Sequence, residues 1–165
     1  MKKRPRIQIE WTPVDKIIEA MSLLILVVMW VFTLLRYADL PDIIPIHYNA
    51  AGIADGFGKK AHILILPVIS TIFYVSFTLL NRFPHIFNFP VRITEENAYR
   101  QYANMTRMLR WLKLLILFLF GMIIWNTVRF TDNHPEGLKS WFLPVTLGLV
   151  FIPMIYYIFK SWREK

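Results

Sequence analysis

Residues 17–35 read IIEAMSLLILVVMWVFTLL, an unbroken apolar run whose one formal charge is Glu19. A helix rises 1.5 Å per residue, so the run is close to the roughly 20 residues that cross about 30 Å of hydrocarbon. Three further blocks have the same length and character: His62–Leu80, Leu112–Phe130 and Trp141–Phe159. The 165 residues are 56% hydrophobic, 16% aromatic and only 18% charged, with a mean hydropathy of +0.43. The sequence therefore predicts an all-α integral membrane protein, a single membrane domain over residues 1–165 with four transmembrane helices.

A formal charge of +8 suggests nucleic acid until its placement is read. Residues 1–16, 81–113 and 160–165 carry 14 Lys and Arg; residues 36–61 and 129–140 carry 5. The positive-inside rule then puts both termini in the cytoplasm, the segment after the first span outside, and the basic residues against anionic headgroups rather than nucleic acid. The expected location is a cytoplasmic membrane, with the bilayer as the first partner. Lys2, Lys3, Arg4 and Arg6 resemble the start of a signal peptide, but the apolar run is too long and Arg36–Asp39 offers no small-x-small cleavage site, so the first helix is expected to stay. There is no cysteine, hence neither disulfide nor thiolate chemistry.

Thr12-Pro13-Val14-Asp15 reads as a helix start, with Thr12 as N-cap, Pro13 at the first helical position and Asp15 near the positive end of the dipole. Glu19, two turns in, is expected at the interface. Residues 82–93 contain two Phe-Pro steps and are expected to be extended on the membrane surface. Thr94 is read as the cap of one continuous helix from about Thr94 to about Phe130, projecting into the cytoplasm ahead of the third span. Its apolar stripe is Ala98, Tyr102, Met105, Leu109 and Leu112, with Arg100 and Arg107 on another face. Leu66-Pro67-Val68 and Leu143-Pro144-Val145 occupy matching places in the second and fourth spans; Pro67, Pro144 and Pro153 are expected to kink their helices. Asn126, Thr127 and the Ser and Thr residues of the second span read as helix-packing contacts.

The chemistry is concentrated in residues 39–60, DLPDIIPIHYNAAGIADGFGKK. Pro41 and Pro45 stiffen the chain, Asn49–Gly52 has turn character, and Asp55-Gly56 is a tight-turn signal. The segment is expected to be a compact ordered extracytoplasmic loop folded on the helix ends. His47 and Asn49 share a strand parity, and turns that bring Asp55 back would set it beside His47. Three uses follow. A His47, Asp55, His62 set can hold a divalent metal, although the spacing matches no metal motif. His47 with Asp55 can act as general acid and base at the outer interface, although no nucleophile accompanies them. His47, Asn49 and Asp55 can also tie the loop together by hydrogen bonds, leaving it a surface for a peptide or partner. No cofactor is expected. Transport is weakest, because no charge reads as buried in mid-membrane.

The run LPDIIPIHYNAAGIADGFGKK between two membrane helices resembles the signature of the bacterial domain-of-unknown-function family 1648, over about Ile17–Leu80. That domain forms the N-terminal part of SdpI-like immunity proteins, which protect a producing cell from its own secreted toxic peptide. FNFPVRITEENAYRQY resembles the sequence that follows it in related four-helix proteins. The matched signature residues are Pro41, Pro45, His47, Asn49, Gly52, Asp55, Gly56 and Lys59. The resemblance implies a non-enzymatic membrane protein whose outer loop recognises a secreted peptide, a lipid-linked species or a membrane protein partner, in immunity or signalling. This chain departs from the immunity proteins in lacking their additional helices.

Overall fold

The computed structural model describes residues 4–132 and 137–164. Lys2, Lys3 and Lys165, counted in the charge asymmetry, lie outside them, as does the middle of the connection between the last two helices. The elements are α1 (Pro13–Tyr37), β1 (Ile43–Tyr48), β2 (Ala54–Lys59), a 3-10 turn (Lys60–Leu64), α2 (Ile65–Leu80), a second 3-10 turn (Pro84–Ile86), α3 (Ala98–Thr131) and α4 (Phe142–Arg163). Four helical stretches are long and apolar enough to cross a membrane. The chain is a multi-pass membrane protein.

α1 starts as its sequence dictates. Asp15 N donates to Thr12 Oγ1 at 3.2 Å while Thr12 N donates to Asp15 Oδ2 at 2.9 Å, a closed capping box behind Pro13. α3 spans 34 residues, about 51 Å at 1.5 Å per residue, and touches all three other helices. It begins at Ala98, four residues later than the expected Thr94. Thr94 and Asn97 instead satisfy each other's backbone N–H in a turn, and the Asn97 amide also donates to Arg92 O at 3.0 Å. Its buried face differs from the expected stripe: Met105 and Leu109 are only half-buried, whereas Thr106, Arg110 and Lys113 are buried. Residues 82–93 are not wholly extended, since Pro84–Ile86 close one 3-10 turn. Pro67 and Pro144 are each the third residue of their helix, where the missing N–H has no intrahelical acceptor to lose. Among the described residues only Pro153 lies in a helix interior.

The charged end of the bundle adds packing that the sequence reading did not contain. Glu19 is 9% exposed, turned into the bundle with its Oε2 accepting from Lys113 Nζ at 2.5 Å. Lys113 is fully buried and also donates to Thr78 Oγ1 at 2.8 Å, with the Tyr74 ring 4.5 Å away. Arg110, 2% exposed, reaches Asp15 Oδ1 at 3.2 Å and Glu19 at 3.5 Å and stacks on Trp11. Arg107 completes the set, 3.8 Å from Asp15. Charges are buried after all, two turns into α1 and deep in α3. They survive there because each acid meets more than one cation.

At the opposite end a two-stranded hairpin closes the bundle. Leu40, Ile44 and Ile63 are buried there with Met29 of α1 and Ile124 and Val128 of α3. Ile44 alone, 1% exposed, contributes about 1.5–3 kcal/mol by leaving water.

Candidate functional site

The loop between α1 and α2 is an antiparallel β-hairpin pairing Ile43 with Lys59, Ile44 with Gly58, Pro45 with Phe57, His47 with Gly56 and Tyr48 with Ala54. Its turn is residues 49–53. Asn49 Oδ1 accepts from Ala51 N at 3.0 Å and Ile53 N at 3.1 Å, and Gly52 N donates to Asn49 O at 2.8 Å. Asp55-Gly56, read above as a turn, lies inside β2. Gly56 is needed there for closeness, because a Cβ on it would sit 2.8 Å from His47 Cβ.

That approach places His47 against Asp55, Nδ1 to Oδ1 at 2.5 Å across the two strands. Both side chains are exposed, so the pair contributes about 0–1 kcal/mol and its main effect is to aim the ring. With Nδ1 occupied, Nε2 is the nitrogen left to meet a ligand. His62 turns its Nδ1 to Lys59 O at 2.8 Å, which fixes the second imidazole at the start of the 3-10 turn. Pro41 and Lys59 are exposed, Pro45 is buried, and Gly52 is buried with φ +78°. Among the described residues no group of three or more His, Asp or Glu gathers in a metal-holding arrangement.

The hairpin is clamped to the helix ends. Tyr48 Oη meets Thr127 Oγ1 of α3 at 3.0 Å, and burial raises the phenol's pKa above its ordinary 10.0 against the opposing effect of that bond. Leu138 N donates to Gly52 O at 2.8 Å, and a Cβ at Gly52 would come within 2.5 Å of the Lys139 backbone. Lys60 N donates to Asp42 O at 2.9 Å, closing the base of the hairpin, and Arg36 grips Asp132 at 2.5 Å. Beneath this roof lies a cleft of 580 Å³ between the starts of α2 and α4, backed by α3. Ile65, Leu66, Ile124, Phe142 and Leu143 make its apolar wall; His47, Tyr48, Asn49 and His62 stand at its rim. Ile65 and Leu143 are 48% and 42% exposed, so the cleft opens sideways toward whatever surrounds the helices.

Residues 24–71 match a domain of unknown function, DUF1648. The match runs from the middle of α1 through the whole hairpin into α2, and so contains every rim residue named above. An uncharacterized protein of Archaeoglobus fulgidus is 34% identical over 87 residues, which is 48% of this chain and 48% of that protein. The chain thus aligns with about half the length of this curated relative. No solved structure matches.

The sequence reading singled out His47, Asn49 and Asp55, took Thr127 for a helix-packing contact where it meets Tyr48 of the hairpin, and missed Tyr48 and the cleft. It also missed the Asp15–Arg110 and Glu19–Lys113 pairs. The available signal was complementary spacing: acids four residues apart on α1 and bases three apart on α3, at one depth.

Proposed function

We propose that this is a non-enzymatic protein of a cytoplasmic membrane, hairpin outside and termini inside, that holds an amphipathic, lipid-linked molecule in the cleft under its hairpin. The observation that carries the reading is the cleft itself: apolar within, polar at its rim and open sideways, it takes an acyl or prenyl chain from the outer leaflet. His47 Nε2 and the Asn49 amide then meet the polar part. The orientation rests on the 14-to-5 bias of basic residues. An immunity or signalling role, which the resemblance to SdpI-like proteins implies, is one use of such a site.

The test is native mass spectrometry of protein extracted in mild detergent. The wild type is expected to retain an amphipathic molecule one to one. Leu143→Trp and Ile65→Trp, which narrow the entrance without touching the core, are expected to lose it. A wild type that leaves the membrane bare, or variants that keep the molecule, would refute the reading. A second reading, a membrane enzyme using His47 as general base, is favoured by the 2.5 Å His47–Asp55 contact. It requires that His47→Gln leave the retained molecule in place but chemically unprocessed.

A further inference from the structure

The end of the bundle opposite the hairpin carries a second concavity, an open pocket of 850 Å³ between the segment before α3 and the end of α4. Three guanidinium-bearing residues line it: Arg92 on the segment, Arg100 in the first turn of α3 and Arg163 in the last turn of α4. Against them stands one carboxylate, Glu96. None of the three guanidiniums has a carboxylate within 4.0 Å among the described residues, unlike Arg107 and Arg110 a few residues away. Three exposed cations thus line one hollow without a carboxylate partner, which makes it a positive site that an anion would complete.

The backbone that carries Arg92 and Arg163 is also held in place. Asn97, 4% exposed, donates to Arg92 O and exchanges hydrogen bonds with Thr94, which fixes the segment carrying Arg92. Gln101, 1% exposed, donates to Ser161 O and Glu164 O at 2.9 Å each and accepts from Ser161 Oγ, while Asn104 donates to Glu164 at 2.5 Å. Those bonds lock the end of α4, and with it Arg163, onto α3. The pocket's remaining wall is apolar: Phe159 and Trp162, 56% and 46% exposed, are in edge contact at 5.5 Å. They end a stripe of exposed residues along α4, Ile152, Ile155 and Tyr156, at the i, i+3, i+4 spacing of one helix face.

We propose that this pocket binds the phosphate of an anionic phospholipid, its chains lying along the α4 stripe and its headgroup seated among Arg92, Arg100 and Arg163. Guanidinium forks bind phosphate oxygens two at a time, and Trp at the interface marks the depth at which a headgroup sits. The apolar stripe leading into the pocket selects a lipid over free phosphate or a phosphorylated peptide, neither of which has anything to lay along it.

The experiment titrates the full chain, in detergent, with phosphatidylglycerol and with phosphatidylcholine, and reads bound lipid by native mass spectrometry. The wild type is expected to prefer the anionic lipid at least tenfold. The triple variant Arg92→Gln, Arg100→Gln, Arg163→Gln is expected to lose that preference. A control triple with the same charge change elsewhere, Lys16→Gln, Arg82→Gln, Arg129→Gln, is expected to keep it. Equal loss in both triples would reduce the effect to net charge and overturn the proposal. Inorganic phosphate or a phosphorylated peptide displacing the lipid at equimolar concentration would likewise overturn it, because the occupant would not be a lipid. Should the site triple fail to fold, Arg163→Gln alone, on the exposed end of α4, is expected to weaken the preference about threefold, and no change would count against the site.

Discussion

Replacing Glu19 by Gln removes one of two carboxylates from a cluster of five charged groups, four of them buried, and leaves three cations with Asp15 as their one acid. Lys113, fully buried, keeps only the Thr78 hydroxyl and the Tyr74 ring. Stripping one partner from a buried pair costs about 3–5 kcal/mol. The complementary change is milder. Lys113→Met removes the excess cation, leaves Glu19 with Arg110 at 3.5 Å and fills the space with an apolar chain, so about 1.5–3 kcal/mol, the scale of a lost charged hydrogen bond, is expected. The double variant exchanges a salt bridge for a neutral pair and is expected near wild-type stability. The three values define a double-mutant cycle with a coupling of at least about 4 kcal/mol. Unfolding by sodium dodecyl sulfate in mixed micelles, followed by fluorescence of Trp11 and Trp111 beside the cluster, measures it. If the single effects simply add in the double variant to within about 0.5 kcal/mol, Glu19 and Lys113 are not coupled and the buried-pair argument fails.

Gly52→Ala forces a side chain into a left-handed backbone and against Lys139, at a cost of about 1–3 kcal/mol, and is expected to speed protease cleavage of the hairpin turn. Thr127→Val is expected to lower thermal stability by about 1 kcal/mol through loss of the Tyr48 bond, with the helical circular dichroism unchanged. Tyr48 has a pKa raised by burial, so its contribution is complete below pH 10 and is lost as pH rises through the raised value; alkaline titration at 295 nm is expected to lose one late-ionising component in Tyr48→Phe. Asn49→Ala deprives two backbone donors of their acceptor and is expected to cost about 1 kcal/mol, less than a buried cap would, because water reaches the turn.

The four spans were legible because their signal is length and composition, which need no partner. The start of α1 was legible for the same reason: Thr12, Pro13 and Asp15 act on their own neighbours. The hairpin was half legible. Asn49 and Gly52 announce a turn, but Pro45, Gly56 and Gly58 are poor strand formers, and only the close approach of His47 to Gly56 explains why glycine stands inside a strand. The partner of Glu19 was illegible because a single helix gives depth but not rotation. That partner lies 94 residues on, and no local pattern states that α3 turns Lys113 toward Glu19. The cleft was illegible for a related reason, since its walls come from three helices and the hairpin.

The separation of those charges has a consequence for biosynthesis. α1 is made before α3, so Asp15 and Glu19 precede Arg110 and Lys113 by more than 90 residues of synthesis. Until then the two acids have no α3 cation to meet, and an unpaired carboxylate is better solvated in water than inside the bundle. The docking of α3 on α1 therefore supplies charge neutralisation together with packing, in an order set by the order of synthesis.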